Sequence, residues 1–158
     1  MKSLSLLKVV TVVGTRPEII RLSRVIAALD SSSAIDHILI HTGQNYDYEL
    51  NKIFFDELNI RKPDYFLNAA SSSASKTISN IISKAEDVLE KENPDGISLS
   101  FSGQTALNCG IKLHEQGLLE NIKVLGSSLQ TVVDAEDRER FKNILEEIGE
   151  YTAPSRVV

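Results

Sequence analysis

A doubly wound α/β domain, with a parallel sheet of five or six strands and helices on both of its faces, is the fold class that this sequence predicts. Three observations carry it. Short apolar runs alternate with amphipathic helical periodicity along all 158 residues. The helical stretches separate the strands, so successive strands need crossover connections, and right-handed crossovers produce a parallel sheet. No composition break, long linker or internal repeat divides the chain, so a single domain over residues 1–158 is expected, with strand order 3-2-1-4-5.

Leu6 to Val13 is dominated by Leu and Val and ends at Gly14, as a strand buried on both faces does. Pro17 suits a first helical position, Glu18 complements a positive helix end, and Ile19, Leu22, Ile26 and Leu29 recur along one face of the helix that follows. His37 to His41 is the second strand, followed by a helix through Leu50, Ile53, Phe54 and Leu58. Asp64 to Asn68 is a short third strand and Ser71 to Ser75 a serine-rich surface connection. Ile78, Ile81, Ile82, Ala85, Val88 and Leu89 mark a third helix, stopped by Asn93 and Pro94. Ile97 to Phe101 is strand four, Gln104 to Gln116 helix four and Ile122 to Leu125 strand five. One or two helical turns start at Leu129, a clearer helix runs through Phe141, Ile144, Leu145 and Ile148, and Arg156 to Val158 is a last extended piece.

At 42% hydrophobic and 25% charged residues, the composition excludes disordered, collagen-like and disulfide-scaffold classes. A net charge of −5 without a basic block argues against nucleic acid as a partner. No apolar stretch approaches the roughly 20 residues of a spanning helix, which argues against a membrane. The lone Cys109 and a start unlike a secretory signal point to a reducing, cytoplasmic setting. His37, His41 and His114 lack paired spacing, so no metal is expected. Nor is any cofactor. Cys109, mid-helix beside Asn108 and Gly110, reads as a buried structural thiol.

Ligands of doubly wound sheets bind beyond the carboxyl ends of the strands, where chain order reverses. The loop after strand one reads Gly14-Thr15-Arg16-Pro17-Glu18, which combines a glycine for close approach, a helix start and a guanidinium fork. That chemistry suits a phosphate or pyrophosphate, although a tight turn with a capped helix accounts for it equally; neither G-x-G-x-x-G nor a P-loop is present. The loop after strand two, Thr42-Gly43-Gln44-Asn45-Tyr46-Asp47-Tyr48, offers hydrogen-bonding groups for sugar or base recognition, or simply forms a Gly-Asn turn. Candidate ligand-binding residues are therefore Gly14, Thr15, Arg16, Pro17, Glu18 and Gln44. Ser102 sits in no G-x-S-x-G elbow, so no catalytic residue is assigned.

Two stretches resemble two different families. Gly14-Thr15-Arg16-Pro17-Glu18-Ile19-Ile20-Arg21-Leu22-Ser23-Arg24, His41-Thr42-Gly43-Gln44-Asn45-Tyr46-Asp47-Tyr48-Glu49-Leu50 and Arg61-Lys62-Pro63-Asp64-Tyr65-Phe66-Leu67 resemble the N-terminal half-domain of non-hydrolysing UDP-N-acetylglucosamine 2-epimerases, in the version found in capsule-type enzymes. Gly103-Gln104-Thr105-Ala106-Leu107-Asn108-Cys109-Gly110, Val124-Leu125-Gly126, Ala135-Glu136-Asp137-Arg138-Glu139-Arg140-Phe141 and Ile148-Gly149-Glu150-Tyr151-Thr152-Ala153-Pro154-Ser155 resemble the carbamoyl-phosphate synthetase large subunit, in the region before its first ATP-grasp domain.

The two resemblances meet at Asn93-Pro94-Asp95-Gly96, between helix three and strand four. They imply a Rossmann-like chimera, with an epimerase-like fragment over 1–95 and a synthetase-like fragment over 96–158, joined by engineering. In the epimerases a Gly-Asp pair follows the fourth strand and its carboxylate takes part in catalysis, whereas Ser102-Gly103-Gln104 stands there in this chain. The ATP-grasp region is missing from the second resemblance. The expectation is an inert fold, with weak UDP or UDP-N-acetyl-sugar binding as the alternative and an active 2-epimerase a remote third. A loosely packed or homodimeric molecule is expected, because helix three and the elements after Gly96 have no shared packing history.

Overall fold

The computed structural model describes residues 5–44, 48–99 and 104–153. Its elements, in chain order, are β1 (Leu7–Val13), α1 (Arg16–Asp30), β2 (Ile35–His41), α2 (Tyr48–Glu57), β3 (Tyr65–Phe66), α3 (Ala74–Glu92), β4 (Gly96–Ser98), α4 (Gln104–Glu115), β5 (Lys123–Leu125), α5 (Leu129–Glu136) and α6 (Arg138–Glu147). Every pairing is parallel, and the five strands lie in the order β3-β2-β1-β4-β5. This is the expected doubly wound, Rossmann-like sheet, with five strands among the described residues.

β1 is central, and its residues sort by parity. Val10 and Val12 join Ile38, Ile40, Ile97 and the α3 and α4 residues Val88, Leu89 and Leu113 in one apolar cluster. Val13 faces the other way, into Ile19, Leu22 and Ile26 of α1, with Leu39 and Phe55. A strand covered on both sides must be apolar at odd and even positions alike, which is why β1 lacks a simple alternation. Register pairs Val10 with Ile38 and with Ile97.

The join between the two resembling segments is bonded on three sides. Asn93 closes α3 in the left-handed region, with φ 44°. Asp95 then donates its N–H to the Lys8 carbonyl at 2.8 Å and accepts the Lys8 N–H on its carboxylate at 2.7 Å. Its carbonyl takes the Lys123 N–H at 3.0 Å. One residue thus ties the starts of β1, β4 and β5. Beyond it, a small apolar void of about 20 Å³ lies against the sheet, between Ile81, Ala85 and Leu89 of α3 and Ala106, Cys109 and Leu113 of α4.

Several boundaries differ from the sequence reading. β3 spans two residues rather than Asp64 to Asn68, because Asn68 turns to φ 49° and leaves the sheet. The serine-rich connection is partly helix: Ser73 is the N-cap of α3, its side chain accepting from the Lys76 N–H at 3.3 Å, so Ala74 and Ser75 are helical. Pro17 is the second helical residue, after Arg16. β4 ends at Ser98, and Ser100 to Gly103, within which strand four was expected to finish, lies outside the described residues, as does the expected extended piece Arg156 to Val158.

Candidate functional site

The carboxyl rim of the sheet carries the loops after β1 and β2, and the structure brings them together. Gly14 is buried against Thr42 and Gln44: a Cβ on Gly14 would overlap the Thr42 hydroxyl and come within 3.0 Å of Gln44 Oε1. Only glycine permits that approach. Gly43 adopts φ 60° and passes so close to Asn68 that an added Cβ would lie 2.9 Å from its backbone nitrogen. Thr42 and Gly43 carbonyls accept from Ala69 and Ala70 at 3.0 and 2.9 Å, which pins the second loop to the chain leaving β3.

Glu18 occupies the centre of the first loop. Its side chain is buried, and one carboxylate oxygen accepts both the Gly14 N–H at 2.5 Å and the Thr15 N–H at 3.0 Å. Negative charge at a helix N-terminus is favourable, and bonds from N–H to an ionised acceptor are among the stronger kinds. The amides that the sequence offered to a phosphate are therefore held by an internal anion. The spacing Thr15-x-x-Glu18 is a capping-box pattern, and that was the signal for it. Arg16 and Pro17 are exposed on the rim, Thr15 is half-buried, and Gln44 borders a depression of about 210 Å³ lined also by Ala74, Thr77, Ile78 and Thr105. Asn45, Tyr46 and Asp47 lie outside the described residues.

His41 ends β2 beneath this rim with no exposed surface. Its ring stacks on Phe66 at 4.7 Å between centroids and tilts against Phe55 at 6.0 Å. Nδ1 accepts the Gly43 N–H at 3.0 Å, whereas Nε2 is buried with no hydrogen-bond partner among the described residues. Burial lowers its pKa to about 4, against the opposing pull of the Glu18 charge. The ring is accordingly neutral at pH 7, an element of packing rather than a proton carrier.

A second polar network lies at the opposite rim, and no local pattern announced it. His37 Nδ1 meets Asp30 Oδ1 at 2.6 Å and its Nε2 meets Thr11 Oγ1 at 2.9 Å. Arg61 donates to Asp30 at 2.9 Å, to Asp64 at 2.7 Å and to the His37 carbonyl at 2.7 Å. Burial raises the Asp30 pKa, but hydrogen bonds from Arg61 and His37 and their charges hold it below the usual carboxylate value. Hydroxyl, imidazole and carboxylate are in the sequence of a nucleophilic triad, yet Thr11 has no exposed surface and no substrate can reach it. Cys109 is equally remote from chemistry: it is buried, and burial pushes its thiol up to about 11. No group of His, Cys, Asp and Glu among the described residues could hold a metal ion. No helix among them is long and apolar enough to cross a membrane.

Comparison with known proteins gives two families. The family described as UDP-N-acetylglucosamine 2-epimerase matches residues 27–101, and the carbamoyl phosphate synthase preATP-grasp domain matches residues 70–134. The matches overlap over residues 70–101, which hold α3 and β4 of this chain. A UDP-N-acetylglucosamine 2-epimerase homolog of Methanococcus maripaludis is 45% identical over 89 residues, which are 56% of this chain and 24% of that protein. The carbamoyl phosphate synthase large chain of Thermoanaerobacter pseudethanolicus is 46% identical over 79 residues, 49% of this chain and 7% of that protein. Among solved structures, the Methanocaldococcus jannaschii UDP-GlcNAc 2-epimerase in complex with UDP-GlcNAc and UDP superposes with TM-score 0.65 at 31% identity, covering 91% of this chain and 39% of that one. The chain thus combines segments similar to two families and spans about a quarter, or less than a tenth, of the curated relatives it matches.

Proposed function

We propose that this chain is an engineered chimera made to fold, a single Rossmann-like domain with an epimerase-like part over 1–95 and a synthetase-like part over 96–158, without a complete catalytic site. Glu18 is the observation that carries this reading. Its buried carboxylate holds the amides of Gly14 and Thr15, so the loop after β1 uses its anion-binding amides to cap α1. Epimerisation at C2 needs an acid and a base positioned in a closed cleft, each commonly worth about 10²–10⁴-fold. Among the described residues of the rim, Arg16 is an exposed cation, Gln44 an amide, and Glu18 a carboxylate turned inward. A cytoplasmic setting accompanies this reading. Incubated with UDP-N-acetylglucosamine in heavy water, the protein is expected to leave the C2 position unlabelled; incorporation of deuterium there would overturn the proposal. A genomic reading frame encoding the same continuous sequence would count against engineering.

A second reading, weak binding of UDP or a UDP-N-acetyl sugar through Gly14, Thr15, Arg16, Pro17, Glu18 and Gln44, is favoured by the close meeting of Gly14 with Gln44 on the rim. The solved relative with UDP bound supplies the ligand class. Affinity of roughly millimolar order is expected, since the chain covers 39% of that relative and most of its surface has no counterpart here. Arg16→Ala removes the exposed guanidinium of this set and is expected to weaken UDP severalfold. Amide shifts recorded during a UDP titration test this, and unmoved resonances from Gly14 to Glu18 in the unmodified protein would dismiss the reading.

A further inference from the structure

We infer that the outer face of α6 is the seat of a two-fold homodimer, its occupant being the same helix of a second copy running antiparallel. Neither α5 nor α6 contains a buried residue, although both carry large apolar side chains. Phe141, Ile144, Ile148 and Tyr151 are all exposed, at 46%, 38%, 67% and 101%, and they supply four of the nine exposed large hydrophobic residues among those described. Phe141, Ile144 and Ile148 recur at i, i+3 and i+7, which is the seam spacing of paired helices. Leu145, one step around the helix, is half-buried; the exposed stripe is a different one. A continuous apolar stripe edged by charges marks an interaction site rather than ordinary surface.

Charge selects the partner and its direction. The first half of α6 carries Arg138, Arg140 and Lys142 against Glu139, while the stretch from Asn143 to Tyr151 carries Glu146, Glu147 and Glu150 without a basic residue. In a two-fold pair the same patch serves both subunits. A parallel pair would set basic half on basic half. An antiparallel pair sets Arg140 of one copy, on the edge of the stripe, beside Glu147 of the other, and also opposes the two helix dipoles. Glu147 makes no ion pair among the described residues, and the exposed Arg140 reaches Asp134 and Asp137 only at 3.4 and 3.9 Å, contacts weak enough to exchange partners.

The test uses the full chain and two charge-reversed variants. One carries Arg140→Glu, the other Glu147→Lys. Both place charges that suit the helix dipole, so each is expected to fold, with circular dichroism as the check. In sedimentation velocity over a wide concentration range, the unmodified chain is expected to show a reversible monomer–dimer equilibrium. Each variant alone is expected to dimerise at least roughly tenfold more weakly, and an equimolar mixture to recover the dimer as a heterodimer. A monomeric parent at every concentration would leave the face to a different polypeptide and overturn the inference. So would a dimer that both variants retain, or a mixture that stays monomeric.

Discussion

The paired strands β1 and β2 and the helices α5 and α6 both carry large apolar side chains, and they differ in what covers them. Every residue from Val9 to Val13 is buried, with α1 on one face and α3 and α4 on the other. In α5 and α6 no residue reaches that state. Periodicity alone cannot tell the two cases apart, because an amphipathic stripe says that a helix has an apolar face and not what lies beside it. The first region lies in a sheet formed by both resembling segments, and the second carries apolar side chains that nothing among the described residues covers.

The contrast can be broken most directly in the core. Leu39→Ala, at a fully buried position, is expected to lower unfolding free energy by about 2–5 kcal/mol in chemical denaturation. An effect no larger than that of a change in α6 would erase the distinction. Acid gives a comparable response through His41. Its unfolded value is 6.5 and its folded value about 4, so between these the unfolded chain binds more protons. Stability from this residue is full above pH 6.5 and is lost as pH falls towards 4, a loss of roughly 3 kcal/mol. His41→Phe should flatten that part of the pH profile. The contribution of Asp30, whose pKa is lowered, is lost only at still more acidic pH, so the two are separable.

Gly14→Ala is expected to cost about 1–3 kcal/mol, because the overlapped Thr42 has no exposed surface and no room to yield. At the small end, Ile144→Ala in α6 should change the unfolding free energy of the monomer by less than about 0.5 kcal/mol. Native-state hydrogen exchange would sharpen the same contrast: amides of α6 should exchange through local opening, and those of β1 only through global unfolding.

Much of the fold could be read in advance. The alternation of Val-rich runs with helices gave the parallel sheet, and the long connections left few strand orders to consider. Where boundaries moved, local chemistry decided. Ser73 turned from loop into cap because its hydroxyl takes a backbone N–H, and Asn68 ended β3 by turning to a positive φ. The site was only half legible. Gly14 and Gln44 do meet, but Thr15 and Glu18 had two uses open to them, anchoring a ligand or closing on each other, and the sequence contained both. The cluster of Asp30, His37, Arg61 and Asp64 was invisible, because its members come from separate elements and converge only after the sheet forms.

Asp95 has a consequence for how such proteins can arise. Of its three links to the starts of β1 and β5, two are purely main-chain bonds and the third asks only for a short carboxylate, so none depends on the side chains of Lys8 or Lys123. The bonds at this bend place no demand on the side chains of the strands that they tie, which leaves the shared apolar cluster as the match that a join there must satisfy. Fragments of unrelated ancestry that share a Pro-Asp-Gly bend can then be exchanged like interchangeable tiles, with sequence divergence elsewhere tolerated as long as hydrophobic volume is kept.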